Sequence, residues 1–268
     1  MNNAGNEDDA RPSRADIDDV ADAAIGVDSR IFRTLWDTLV HTPRVLEAAY
    51  SGDRERYVPI IRLFLVLFGL QFAIMGLLNI PIGMSVESLA TSEATTIGVE
   101  RWLAEADTTR DAVNATLQTV NGWTITILSF LSSLPFLLVM KLYKLKRSFF
   151  GHALAYLVAT NAAYIVILPF MLVGAFGFTM ALFATSFIIS MIMFYIALAR
   201  IFARFYSQKP MVIALQTGGL VLLLPVTLII MVVGQFLIAD LALNMAHDMS
   251  MFRLFVLAAE VTQESIAP

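Results

Sequence analysis

Residues 50–79 read YSGDRERYVPIIRLFLVLFGLQFAIMGLLN, and the fold is decided there. A charged turn (Ser51, Gly52, Asp53, Arg54, Glu55, Arg56, Tyr57) runs directly into an unbroken apolar segment. As a helix, residues 58–80 cover roughly 34 Å, enough for a hydrocarbon core of about 30 Å. Pro59 falls in the first turn, where a missing N–H is harmless. Arg62 lies one turn in. Its long stem lets the guanidinium snorkel back to the headgroups; a buried functional cation is the alternative. Asn79 and Pro81 stop the helix. Arg54, Arg56, Tyr57 and Arg62 are therefore expected at the membrane interface.

Downstream the pattern repeats. Apolar segments at residues 123–140, 152–175, 179–199 and 212–239 read as four further spans. Between the first and second lies a loop, residues 83–122, with six acids against Arg101 and Arg110. Its Val99, Trp102, Leu103, Ala106, Val113, Leu117 and Val120 predict one or two amphipathic helices. Asn114-Ala115-Thr116 fits the glycosylation triplet, a short match that arises often by chance. Gly174 and Gly177 allow an uncharged reversal between the third and fourth spans. Residues 240–268 form an amphipathic tail, too short and too charged for a sixth span.

Upstream, Ser29 caps a helix in which Ile31, Phe32, Leu35, Trp36, Leu39 and Val40 share one face. Arg30, Arg33, Thr34, Asp37 and Thr38 take the other. Phe32, Trp36 and Leu39 are expected to lie in the headgroup layer, or else to pack on the protein's own cytoplasmic face. Thr42-Pro43 starts a second short helix that Gly52 ends, so residues 29–52 form an interfacial pair. Residues 1–28 carry eight acids against two bases, a net charge of −6. With few large apolar groups, this acidic tail is expected to be disordered, as a solvating tail or as a docking segment for a basic partner.

Composition agrees with threading through lipid. Of 268 residues, 58% are hydrophobic and only 15% charged, where soluble domains average about half and about a quarter. With no cysteine, disulfides, thiolate metal sites and cysteine nucleophiles are excluded. Basic residues sit at segment ends rather than along an aromatic-interleaved face, so nucleic acid is not an expected partner. No apolar run follows a basic start in the first 25 residues; the first span is expected to serve as the insertion signal.

Orientation follows from the bases. Arg44, Arg54 and Arg56 precede the first span, Lys141 to Arg147 link the second and third, and Arg200 to Lys209 link the fourth and fifth. Five spans put these three regions on one side, which the positive-inside rule makes cytoplasmic. The N-terminus is then cytoplasmic and the C-terminus outside.

No Asp or Glu lies inside a span, which weighs against carboxylate-based proton or ion paths. His41, His152 and His247 are far apart, the last on the opposite side, so no shared metal site is expected. No HExxH, GxSxG or P-loop pattern occurs. The polar groups at membrane depth are neutral: Gln71, Thr160, Asn161 and Gln235, with Gln216 and Thr217 early in the fifth span. Each should point inward, as inter-helix glue or as a polar path. Pro135, Pro169 and Pro225 interrupt spans, as kinks or as transporter-like breaks. Ala155, Ala159 and Ala163 on the third span, and Gly69 and Ala73 on the first, read as close-packing seams.

Around Gly52, Arg54, Arg56, Tyr57 and Pro59 the chain resembles a family of bacterial membrane proteins of unknown function, marked by a Gly-x-Arg-x-x-Tyr-x-x-Pro-like lead-in to the first span. Lys146-Arg147-Ser148-Phe149-Phe150-Gly151-His152 is similar to that family's basic, histidine-bearing approach to a later span. Its members often begin with a cysteine zinc ribbon, which this chain lacks. The five-span count also resembles the Yip family of trafficking-associated proteins. The resemblance implies no catalytic residue and no cofactor. The expected fold is an all-α polytopic bundle of five transmembrane helices with N-terminal interfacial helices. The expected role is a non-enzymatic inner-membrane component whose partners are membrane lipids, other membrane proteins or a second copy. A small-solute channel or transporter, and a lipid-modifying enzyme around Arg56, Arg62 and His152, are the alternatives.

Overall fold

The computed structural model describes residues 29–78, 83–174 and 180–266. Among them every element is an α-helix: α1 (Ser29–Val40), α2 (Thr42–Ser51), α3 (Ile60–Leu77), α4 (Val86–Leu89), α5 (Glu93–Glu105), α6 (Arg110–Tyr143), α7 (Phe149–Gly174), α8 (Met180–Phe205), α9 (Pro210–Val221), α10 (Leu224–His247) and α11 (Met251–Ile266). The acidic tail, the stop at Asn79 and Pro81, and the reversal at 175–179 lie outside the described residues. The protein is an all-α membrane bundle. Five helical segments are long and apolar enough to cross a bilayer: α3, α6, α7, Ala184–Phe205 of α8, and α9 with α10.

α7 is the hub. Half of its most apolar stretch is buried, against 6% for α9–α10. It packs on α8, α3, α6 and both N-terminal helices. Ala155, Ala159, Ala162 and Ala163 are all buried in the main core, beside Leu46, Tyr57, Phe194 and Leu198. Small side chains there let backbones approach, which is how helices gain contact in lipid. The Gly69–Ala73 seam predicted on α3 is not used: both residues are exposed, and a Cβ added at Gly69 would meet nothing.

Several boundaries differ from expectation, and the helix of the fourth span runs past residue 199 to Phe205. The first span starts at Ile60, with Pro59 as the extended residue just before it (ψ 131°). The second is the C-terminal part of a 34-residue helix starting at Arg110, so the loop 83–122 holds only α4, α5 and the first turns of α6. The fifth breaks at Leu222–Leu223 and continues to His247. Pro225 has no N–H to give the Val221 carbonyl, and the turn tightens to a Leu223 N–H bond on the Leu220 carbonyl (3.1 Å). By contrast, α6 and α7 continue through Pro135 and Pro169.

The C-terminal tail folds back. α11 packs along α5, and with α4 and the ends of α6 and α10 it closes a second core around Trp102, Leu117, Leu243 and Met251. Asp240 Oδ1 accepts from Met251 N (2.6 Å) and Ser250 Oγ (3.0 Å), holding the start of α11. Trp102 Nε1 donates to the Ser250 carbonyl (3.0 Å). Exposed pairs Arg101–Glu264 and Arg253–Glu105 rim this cap; they add little stability in water. Asn114, the glycosylation candidate, is occupied: it accepts from Val86 N and donates to Glu87.

The opposite end gathers the bases. Arg204 pairs with Glu47, Arg200 donates to the Leu39 carbonyl, and Tyr50 donates to the Gly151 carbonyl. There the register is uneven. Asn161 Nδ2 donates to the Ile60 carbonyl (3.2 Å), so α3 begins level with the middle of α7. Twelve residues of helix separate Phe149 from Asn161, about 18 Å. α3 itself is about 27 Å long, close to the hydrocarbon thickness. Around the rising part of α7 pack α1 and α2.

Candidate functional site

α1 packs with its polar side inward. Thr34, Asp37 and Thr38 are buried, and Thr42 with them. The threonine hydroxyls donate one turn back to the carbonyls of Arg30, Thr34 and Thr38. Thr34 Oγ1 also accepts from Val58 N (3.0 Å). Asp37 Oδ2 accepts from the Tyr57 hydroxyl (2.5 Å), and its Oδ1 meets His41 Nδ1 (3.0 Å). Arg30 donates to the Arg54 carbonyl (3.1 Å). The polar face thus clamps the charged turn that launches α3. Phe32 (60% exposed), Trp36 (64%) and Val40 (41%) point away from the protein.

The interface candidates therefore divide. Phe32 and Trp36 face outward. Leu39 is half-buried against the main core. Arg54, Arg56 and Arg62 are exposed, with the Arg56 guanidinium 5.3 Å from the Tyr57 ring. Tyr57, expected among the headgroups, is instead 3% exposed, because its hydroxyl has a buried carboxylate to satisfy. Burial and the Asp37 partner push the Tyr57 hydroxyl up to about 12. Burial alone would raise Asp37, but hydrogen bonds from Tyr57 and His41, with the charges of His41 and Arg56, hold its carboxyl below its ordinary value. Sequence reasoning assigned Asp37 to the solvated face; His41 four residues on, at one-turn spacing, is the signal that it has a partner.

Arg147 forms the second feature of this end. Its guanidinium lies 4.8 Å from the Tyr50 ring, 5.1 Å from Phe205 and 5.5 Å from Tyr206. Nη1 donates to the Tyr50 hydroxyl (2.9 Å). Burial raises Tyr50 above its usual value, although Arg147 opposes the shift. Lys141 Nζ donates to the Leu145 and Arg147 carbonyls, and Lys144 Nζ to that of Phe205. His152 is fully buried, its Nδ1 2.5 Å from the Tyr206 hydroxyl and its Nε2 without a partner. A cavity of about 330 Å³ opens beside Arg147, between the end of α2 and the first turns of α7.

The polar-path candidates do not converge. Thr160 donates to the Tyr156 carbonyl (3.0 Å) and sits beside Asn161 on α7. Asn161 Oδ1 and Gln71 Oε1 are buried without partners, but Gln71 lies eleven residues along α3 from Ile60, about 16 Å from the Asn161 level. Gln235 belongs to the α6–α10 seam, where Gly83 approaches it and Asn121 so closely that a Cβ would sit 2.7 Å from Gln235 Nε2. None of the four lines the Arg147 cavity or the larger apolar groove of about 580 Å³ between α8 and the α9–α10 break. Among the described residues no group of acids and histidines is arranged to hold a metal; His247 bonds Thr116 in the cap (2.9 Å). No protein-family model, curated protein or solved structure matches the chain.

Proposed function

We propose that this chain is a non-enzymatic inner-membrane component that works by association with lipid and with other membrane proteins, its α1–α2 pair lying in the headgroup layer. One observation carries the reading: α1 hides Asp37 and its threonines and turns Phe32 and Trp36 outward, the polarity of a helix whose surroundings are less polar than water. The packing of α1 and α2 around the first turns of α7, at the basic end of that span, supports it. The basic end is cytoplasmic under the positive-inside rule, with the cap outside. The likeness to the bacterial family at Gly52, Tyr57 and Pro59 fits this reading and adds no chemistry to it. Quenching of Trp36 by brominated lipid in proteoliposomes tests it, in a Trp123→Phe background where Trp102 stays buried in the cap. Strong quenching by bromines near the top of the acyl chain is the expected result. Emission untouched by any brominated lipid overturns it.

The transporter reading draws on the unpartnered oxygens of Asn161 and Gln71, and a solute panel in liposomes tests it by flux. The enzyme reading has less support: His152 is 0% exposed and its Nδ1 is taken by Tyr206, so a substrate cannot reach it without displacing α7 or α8.

A further inference from the structure

The cavity beside Arg147 is lined by groups of two kinds. Arg147, Ser148 and Tyr50 are its polar lining; Ala49, Phe150 and Leu154 are its apolar lining. Phe149 (46% exposed) and Phe150 (61%) are exposed apolar groups at the same turn of α7. Three nearby cations are committed: Arg204 to Glu47, Lys141 and Lys144 to backbone carbonyls. Among the described residues Arg147 makes no ion pair. It spends donors on the Tyr50 and Tyr206 hydroxyls, while three aromatic rings hold its plane still. A guanidinium offers five donors in a rigid fork, so this one is pre-oriented with donors to spare. Ser148 Oγ accepts from Gly151 N (3.1 Å), leaving its own hydrogen to donate.

We propose that this cavity binds the phosphate of an anionic phospholipid. The phosphate oxygens take the Arg147 fork and the Ser148 hydroxyl, and the glycerol and upper acyl chain lie along Phe150 and Leu154. Bidentate guanidinium–phosphate pairing is strong and directional. The cavity lies beside the first turn of α7, at the basic end of that apolar helix, where a membrane span meets the headgroups. The inference rests on the lipid-association reading but uses a surface separate from Phe32 and Trp36.

Native mass spectrometry of the full chain in detergent, titrated with phosphatidylglycerol and with phosphatidylcholine, tests it. The wild type should prefer phosphatidylglycerol. Arg147→Ala should lose about tenfold in affinity for it, Arg147→Lys less, and Ser148→Ala about threefold. Arg204→Ala, whose partner is Glu47, serves as the control and should keep the wild-type affinity. If Arg147→Ala fails to fold, Ser148→Ala decides, since that side chain is exposed. Unchanged affinity in Ser148→Ala and in any folded Arg147 variant overturns the proposal. Inorganic phosphate competing as well as the lipid does overturns the lipid assignment and leaves a soluble-anion site. Lost selectivity with Trp36 quenching intact confirms this site alone, whereas intact selectivity without quenching fails only the front-end reading.

Discussion

Asp37 and Tyr57 decide at the residue scale which way α1 faces. A carboxylate turned toward the protein must be satisfied there, and the Tyr57 hydroxyl with His41 does so. Because the folded carboxyl sits below its ordinary 3.8, its contribution is fully present above that value. It is lost as pH falls through the depressed one. Thermal unfolding of the detergent-solubilised protein should therefore weaken on acidification below about pH 4, and Asp37→Asn should flatten that acid limb. Tyr57→Phe should cost about 1–3 kcal/mol, since it leaves a buried charge short of a donor, measured as a lowered melting temperature at neutral pH. The sequence marks Tyr57 and Asp37 only as amphipathic side chains twenty positions apart. Nothing local says that they meet.

At the scale of elements, the helices were legible and their joins were not. Val113, Leu117 and Val120 predict a helix in the outer loop, and Trp123 onward predicts a span; the structure runs them together as α6. The change in composition at Gly122-Trp123 marks a change of solvent, while the backbone continues unbroken. Of the tail positions that helical spacing marks as one apolar face, Leu241, Met245, Met249, Phe252, Phe255 and Val256, only Met249 is buried; Leu254 and Leu257 turn inward instead, because the partner is α5, over a hundred residues earlier. That crossing depends on Gly98, where a Cβ would lie 3.1 Å from the Ala258 backbone. Gly98→Val should lower cap stability by about 1–3 kcal/mol through overpacking, read as faster limited proteolysis of 83–122 with the spans still protected. A valine variant as resistant as the wild type would show that α5 and α11 cross less closely.

The whole molecule is a peripheral fifth span and three others assembled around α7, with a basic end and a capped end. Reporter tags at the two termini should land in different compartments, because an odd number of crossings separates them; tags in one compartment would remove the five-span threading. The sequence by itself determined the number and rough extent of the spans and the clustering of bases at one set of loops. Those are local properties: hydropathy over one bilayer thickness, and charge next to it. Only the tertiary structure decided that α1 turns its carboxylate inward, that the tail completes the cap, and that Arg147 stands in an aromatic box beside a cavity. Each of these depends on which distant segment supplies the partner. A polar side chain looks the same in sequence whether water or a buried hydroxyl satisfies it.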